Sequence, residues 1–310
     1  MASRRTRPAA GVLAVLMAAG CGPAATAAGH QHAESASPGQ GSPGGLPLTP
    51  SRPTPTPTPT PTPAPAPSPA TVALSRFRAA DGSAVTLAAF GGPVSFRLHA
   101  GSGDPGYPAL SVLHAGPVIG PDEHRRLLAA FNGGFKLSSG AGGYEQEGHV
   151  ITPLIRGMAS LVIDRSGAAA IGVWGHGVPR PGEAVYSVRQ NLTPLVNHGR
   201  VTATAADWGL WGATLGGGEF VARSALGQDA AGRLIYAGSM SASPADLAAA
   251  LVRAGAVKAM ELDINPEWVQ LDVARHPGHA LTAAIPGQQR PADQYLAGWA
   301  RDFITVLAPS

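Results

Sequence analysis

The string Glu261-Leu262-Asp263-Ile264-Asn265-Pro266-Glu267-Trp268 puts three carboxylates within seven residues. In a strand, alternate side chains share a face, so Glu261 and Asp263 point one way and Leu262 the other. Glu267 and Trp268 follow a turn stiffened by Pro266. Carboxylates beside an aromatic plate suit acid–base work on a sugar, with Trp268 stacking on a sugar face. The same carboxylates suit a divalent cation. The plain alternative is a solvated strand end. Only 13% of the chain is charged, which makes such clustering less bland than usual.

A second string, Ala129-Ala130-Phe131-Asn132-Gly133-Gly134-Phe135-Lys136, is an apolar approach that ends abruptly at Asn-Gly-Gly. Glycine pairs let a ligand come close to backbone N–H groups. Asn132 and the amides of Gly133 and Gly134 are therefore candidates for orienting a sugar or a phosphate. An ordinary turn is the alternative, since Asn-Gly is itself a turn signal. The third string is Val221-Ala222-Arg223-Ser224-Ala225-Leu226-Gly227-Gln228-Asp229. Arg223 can fork onto a phosphate or carboxylate, or pair internally with an acid. The preceding Gly216-Gly217-Gly218 lacks the Lys-Ser/Thr of a phosphate loop, and this stretch reads as a hairpin or flexible loop.

Other chemistries find less support. No Gly-x-Ser-x-Gly elbow occurs. The histidines are scattered, and His276 and His279 flank a Pro277-Gly278 turn. Asn191-Leu192-Thr193 is a formal sequon to which no role is given. The single cysteine excludes a disulfide framework and a cysteine-built zinc site.

The elements that must hold these strings are mostly strands. β-branched runs between Gly-rich turns predict strands at 85–90, 94–99, 158–164, 168–174, 234–237 and 259–264. Two helices are expected. Residues 121–128 open with Pro121, Asp122 and Glu123, good first-turn residues. Residues 243–255 have Ser243 as cap, Pro244 at the first position, Asp246 three after the cap and Gly255 as stop. That helix runs into the strand that carries Glu261 and Asp263. The expected fold is α+β, a mixed β-sheet core with a few packed helices, forming a single domain over 71–310.

The first 70 residues do other work. Arg4, Arg5 and Arg7 precede an apolar run from Gly11 to Ala19, too short to span a bilayer. Cys21 follows directly, and Leu16-Met17-Ala18-Ala19-Gly20-Cys21 resembles a bacterial lipoprotein signal. Residues 1–20 thus read as a signal peptide and Cys21 as a lipid attachment site. The chain would then be exported to the outer face of the cell membrane; an ordinary secreted protein is the alternative. Half of the 30 prolines lie before residue 71. Residues 21–70 read as a disordered Pro/Thr-rich tether. The 17 residues from Pro53 to Pro69 would reach on the order of 50 Å as polyproline II. Removing Arg4, Arg5 and Arg7 from the 22 basic residues leaves 19 against 19 acidic ones. The +3 net charge belongs to the signal, and nucleic-acid binding by a basic patch loses its support.

Taken in order, these strings resemble the phosphodiester glycosidase family across most of residues 85–307. Asn132-Gly133-Gly134-Phe135 resembles its Asn-Gly-Gly-Phe-Phe element, with Lys136 in place of a second phenylalanine. Arg223-Ser224-Ala225-Leu226-Gly227 resembles its Arg-Thr-Ala-Ile-Gly element, and Glu261-Leu262-Asp263 aligns with its Asn-Leu-Asp. The family continues Asp-Gly-Gly-Gly-Ser, whereas this chain has Asp263-Ile264-Asn265-Pro266-Glu267-Trp268, similar to a variant of actinobacterial members. The resemblance implies a hydrolase that removes a sugar from a sugar-1-phosphodiester or related envelope glycan. On that reading Asp263 or Glu261 handles protons, Arg223 offsets phosphate charge, Asn132, Gly133 and Gly134 orient the substrate, and Glu267 and Trp268 shape the pocket. No cofactor is assigned, with a divalent cation on the carboxylates as the alternative. The partners are a carbohydrate or glycophosphodiester and, through the lipid, a membrane. The rival is a non-catalytic glycan-binding envelope lipoprotein, which the missing glycine loop favours.

Overall fold

A computed structural model describes residues 69–79, 81–213 and 217–310. The leader 1–20, Cys21, the tether through residue 68 and Gly216 lie outside the described residues. Strands form three sheets. The largest runs β1 (Thr71–Arg78), β2 (Ala84–Gly91), β14 (Leu234–Ala242), β13 (Val221–Asp229), β15 (Ala256–Glu261), β11 (Val196–Asn197) and β12 (Arg200–Val201). The second runs β6 (His149–Thr152), β5 (Tyr144–Gln146), β10 (Ser187–Gln190), β7 (Ala159–Ile163), β8 (Ala169–Trp174) and β9 (Gly177–Val178). The third runs β17 (Leu281–Ala283), β16 (Leu271–Ala274), β4 (Leu127–Asn132), β18 (Phe303–Leu307) and β3 (Ser95–His99). Among the described strands β8 and β9 alone pair in parallel, so the core is mixed but nearly all antiparallel. The described helices are α1 (Pro121–His124), α2 (Pro244–Arg253) and α3 (Gln294–Ala297). With one helix of ten residues and two of four, the chain is mostly sheet, less helical than an α+β label implies.

Strand alternation divides the core. In β13 and β15, Ala222, Leu226 and Met260 face a cluster containing Phe90, Phe131, Tyr236 and Ile304. Phe131 stacks on Phe90 with centroids 5.7 Å apart and lies 5.1 Å from Tyr236. Ala225 and Ala259, on the opposite face, pack with Leu247, Ala248 and Leu251 of α2. The largest sheet is thus covered on both sides.

Two expectations are corrected. The helix expected over 121–128 ends at His124, because Leu127 and Leu128 belong to β4. Every residue of β4 is buried between β16 and β18, and that burial outweighs a weak helical preference. The strand expected over 259–264 runs from Ala256 to Glu261, and the string 221–229 is a nine-residue interior strand whose hairpin partner is β14. The helix expected over 243–255 forms as α2. Ser243 Oγ accepts from Asp246 N at 3.1 Å, and the Asp246 carboxylate accepts from Ser243 N at 3.2 Å. Gly255, at φ 96°, takes a conformation that a side chain would strain. Ser243→Ala is expected to cost about 1 kcal/mol, which a thermal melt reads as a midpoint lower by roughly 2–4 °C. An unchanged midpoint would remove the cap from the account.

Candidate functional site

The end of β15 crosses from one sheet to another at Asp263. Leu262 N donates to Ser224 O at 2.8 Å, still within the largest sheet. One residue later, Asp263 N donates to Gly133 O at 3.1 Å, beyond the end of β4, while Asp263 O accepts from Ser224 N at 3.1 Å. The main chain at Asp263 is thereby tied to two sheets. The segment that follows Asp263 is a sequence of side-chain turns. Asp263 Oδ1 accepts from Asn265 N at 2.8 Å, and Asn265 Oδ1 accepts from Glu267 N at 2.9 Å. Such Asx turns, with Pro266 between them, hold the Asp263 carboxylate against its own loop.

Asp263 lines an open cleft of about 240 Å³ with Phe135, Lys136, Ser139, Ala213, Ile264, Asn265, Pro266 and Trp268. Its carboxylate is 4% exposed. Burial pushes its pKa up from the ordinary carboxylate range to about 6, with Asp302 adding to the rise and the Asn265 amide and Arg301 opposing it. Arg301 Nη2 stands 3.6 Å from Asp263 Oδ2. Trp268 forms the wall, and two cations address its ring. The buried Arg301 lies 4.7 Å from the centroid and the exposed Lys136 ammonium 5.1 Å. At an exposed site such a contact is worth about 0.5–1 kcal/mol.

The remaining expected site residues fall into three places. Asn132 is 2% exposed and fully engaged inside the protein. Its Nδ2 donates to Ser224 Oγ and to Gly133 O, both at 2.9 Å, and its Oδ1 accepts from Tyr236 OH at 2.9 Å and Gln270 N at 3.1 Å. Ser224 Oγ in turn donates to Asp263 O at 2.8 Å, so Asn132 reaches Asp263 through a serine and does not line the cleft. Arg223 and Glu261 are fully buried on the α2 side of the sheet, joined Nη1 to Oε1 at 2.8 Å. Arg223 also donates to Trp211 O at 3.0 Å and Ala242 O at 3.2 Å. Glu261 shares a face with Asp263 closely enough for Asp263 to raise its pKa, yet only Asp263 reaches the cleft. Glu267 points outward to Arg290, 2.5 Å away. The three carboxylates of the sequence cluster thus have three different surroundings, which does not suit a shared divalent cation. Among the described residues no group of three or more His, Cys, Asp or Glu is arranged to hold one.

Gly133 and Gly134 are needed for packing. A Cβ on Gly133 would overlap the Asp302 carboxylate, and one on Gly134 would sit 2.9 Å from Arg189 Cζ. Gly133 N donates to Asp302 O at 2.9 Å, so that amide is already committed. Gly133→Ala is expected to destabilise the protein by about 1–3 kcal/mol through overpacking. Denaturant unfolding reads this as a lower midpoint, and an unchanged midpoint would mean that Asp302 moves aside freely.

Sequence reasoning missed the groups that hold the cleft from below. Arg301 Nη2 donates to Gly134 O at 2.9 Å, and Nη1 pairs with Asp104. Arg189 Nε donates to Asp302 Oδ2 at 2.7 Å, and Nη2 donates to Phe135 O. Asn191, at the sequon, is buried and ties two motifs together. Its Oδ1 accepts from Phe135 N at 3.2 Å and its Nδ2 donates to Glu261 O at 2.9 Å. The available signal was Arg301-Asp302 and Arg189-Gln190-Asn191 set against apolar strands in a chain with few charges.

Four larger depressions, of about 550, 390, 370 and 320 Å³, lie elsewhere, and the first two hold both acidic and basic residues. Their acidic and basic residues include hairpin and turn groups that cap their own loops, such as Asp229, Glu183 and Asp164. Neither has a tryptophan wall. Among the described residues no helix is long and apolar enough to cross a membrane.

No protein-family model and no curated protein matches the chain. Among solved structures it is similar to the catalytic domain of zebrafish N-acetylglucosamine-1-phosphodiester alpha-N-acetylglucosaminidase, auto-inhibited by its pro-peptide. That likeness has 14% identity and a TM-score of 0.46, over 80% of this chain and 85% of that one. It is also similar to a hypothetical protein from Synechocystis, with 14% identity and a TM-score of 0.48, over 79% of this chain and 64% of that one. Identities this low carry no residue roles across.

Proposed function

We propose that the protein is a cell-surface hydrolase that removes a sugar from a sugar-1-phosphodiester or related envelope glycan, with Asp263 as the proton-handling group. The observation that carries this reading is Asp263 itself. It is a buried carboxylate on the wall of an open aromatic cleft, with its pKa raised to about 6 by burial. A general base is most effective with a pKa near working pH.

One carboxylate in the cleft also constrains the reaction. Ordinary glycosidases need two, because an alkoxide leaves only if protonated. A phosphodiester substrate relaxes that need. Breaking its anomeric C–O bond releases a phosphate monoester, whose second pKa is about 6, so it departs as a stable anion. Asp263 is then left with one task, taking a proton from the water that attacks the anomeric carbon. Arg301 holds the Asp263 carboxylate in place. Arg223, Glu261 and Asn132 support the strands that carry it. Trp268 and Phe135 take the apolar face of the sugar. The signal-like leader, Cys21 and the proline tether would hold this cleft outside the membrane.

The test is release of free sugar from a panel of sugar-1-phosphodiesters by the full chain, with Asp263→Asn as control. A second reading, a non-catalytic glycan-binding protein, is favoured by the single carboxylate and by a glycine loop replaced with hydrogen-bonded turns. Glycan binding without release from any member of the panel would establish that second reading.

A further inference from the structure

Lys136 follows directly on the glycine motif, and its main chain is held on both sides. Phe135 N donates to Asn191, and Phe135 O accepts from Arg189. Leu137 N donates to the Asp104 carboxylate at 3.1 Å. The carbonyl of Lys136 accepts from Ser139 N at 2.9 Å and Ser139 Oγ at 2.6 Å. From this fixed root the side chain runs along the cleft to its resting place 5.1 Å from the centre of the Trp268 ring.

The two cations on that ring differ in commitment. Arg301 is buried and already bound to Asp104 and Gly134 O, with Asp263 beside it. Lys136 is exposed, and its ammonium takes part in none of the ion pairs among the described residues.

The geometry points to Lys136 as the residue that selects an anionic substituent on a glycan bound in the cleft, its ammonium leaving Trp268 for the anion as the ring takes the sugar face. This rests on the reading of the cleft as a sugar site. A neutral sugar must displace the lysine from the indole and offers it only uncharged hydroxyl acceptors in exchange. A ligand with an adjacent anion offers a charge-assisted hydrogen bond, which is stronger than the contact given up. Lys136 also offsets the repulsion that an anion would meet from Asp263. The free protein therefore keeps its aromatic wall covered by a movable cation, and the ligand that uncovers it most readily is one carrying a negative charge. A uronic-acid carboxylate and a phosphodiester both meet that description.

The experiment measures binding of the full chain carrying Asp263→Asn, so that turnover does not consume the ligand. The immobilised probes are a neutral polysaccharide, a uronic-acid polysaccharide and a glycosylated polyol-phosphate polymer. Binding is expected on at least one anionic probe and to weaken as NaCl is raised. Adding Lys136→Ala should weaken it about tenfold, the equivalent of one charge-assisted hydrogen bond. Lys136→Arg should keep it within about threefold, since the charge is retained. Lys258→Ala, which removes the same charge from a different depression, should leave it unchanged. The preferred anionic probe identifies carboxylate or phosphodiester as the group read. Equal binding to neutral and anionic probes, no binding to any probe, or indifference to Lys136→Ala would each overturn the inference. The hydrolase reading fails separately: a wild-type chain that releases no sugar but binds anionic probes through Lys136 leaves this inference standing.

Discussion

Asp263→Asn is expected to lower sugar release by about 10²–10⁴-fold, the range that one well-placed general base supplies. The substitution keeps the shape of the side chain and most of its contacts. An amide oxygen still accepts from Asn265 N, so the turn that follows should persist. The ability to take a proton from water is lost. In the wild-type chain, activity should rise with pH through about 6, because Asp263 must be ionised to act and burial has moved its pKa to that value. An acid role would give the opposite slope. Replacing Arg301, which favours the ionised form from 3.6 Å, should move the rise to higher pH. The readouts are the pH dependence of kcat/KM and a thermal melt of each variant, so that loss of fold is not taken for loss of chemistry.

Arg223→Met is expected to produce the largest loss of stability, roughly 3–5 kcal/mol, because three buried acceptors, Glu261 Oε1, Trp211 O and Ala242 O, lose their donor. For a domain of this size that is a midpoint lower by on the order of 10 °C. The double change Arg223→Met with Glu261→Leu should recover part of the loss, since the carboxyl no longer needs a partner while Trp211 O and Ala242 O still do. The pair is imperfectly satisfied as it stands. Arg223 Nη2 and Glu261 Oε2 are buried without hydrogen-bond partners among the described residues. Burial raises the Glu261 carboxyl to about 8 against the pull of Arg223. A pKa raised on folding gives stability that is complete below the unfolded carboxylate range and lost as pH rises through about 8. The wild-type midpoint should therefore fall as pH rises from 4.5 to about 8 and level off above, and fall less in the double variant. If the double variant folds well and still releases sugar, Arg223 and Glu261 are structural. If it folds well and is inactive, they belong to the chemistry after all.

Those outcomes also measure how far a sequence can be read. The carboxylate string, the Asn-Gly-Gly string and the arginine string do converge, through Ser224, Asn191 and the main chain at Asp263. Residue type and alternation carried that much, and the cap signals placed α2 to within a residue or two. Which members of each string face the ligand was not legible. Alternation places Glu261 and Asp263 on one side, but it does not tell that the strand ends between them and that α2 closes over the first. Asn132 looks like a ligand-facing amide until Tyr236 and Gln270 are found on its oxygen. Tyr236 lies on β14 and Gln270 just before β16, both far away in sequence, and no local pattern announces them. β4 was hidden for a similar reason, because Leu127-Leu128-Ala129-Ala130-Phe131 is apolar without alternation. Only its position between two strands decides its form. Arg301 was missed because nothing near it in sequence resembles a site, although it underlies the wall on which Lys136 rests.

On the proposed reading, Asp263 directs water to the anomeric carbon of a sugar-1-phosphodiester. Hydrolysis in ¹⁸O-water, followed by mass analysis of the phosphate product, tests it most directly. Attack at the anomeric carbon breaks the C–O bond and leaves the phosphate monoester free of label. Label in the phosphate would mean that water attacks phosphorus, and the glycosidase account would be wrong.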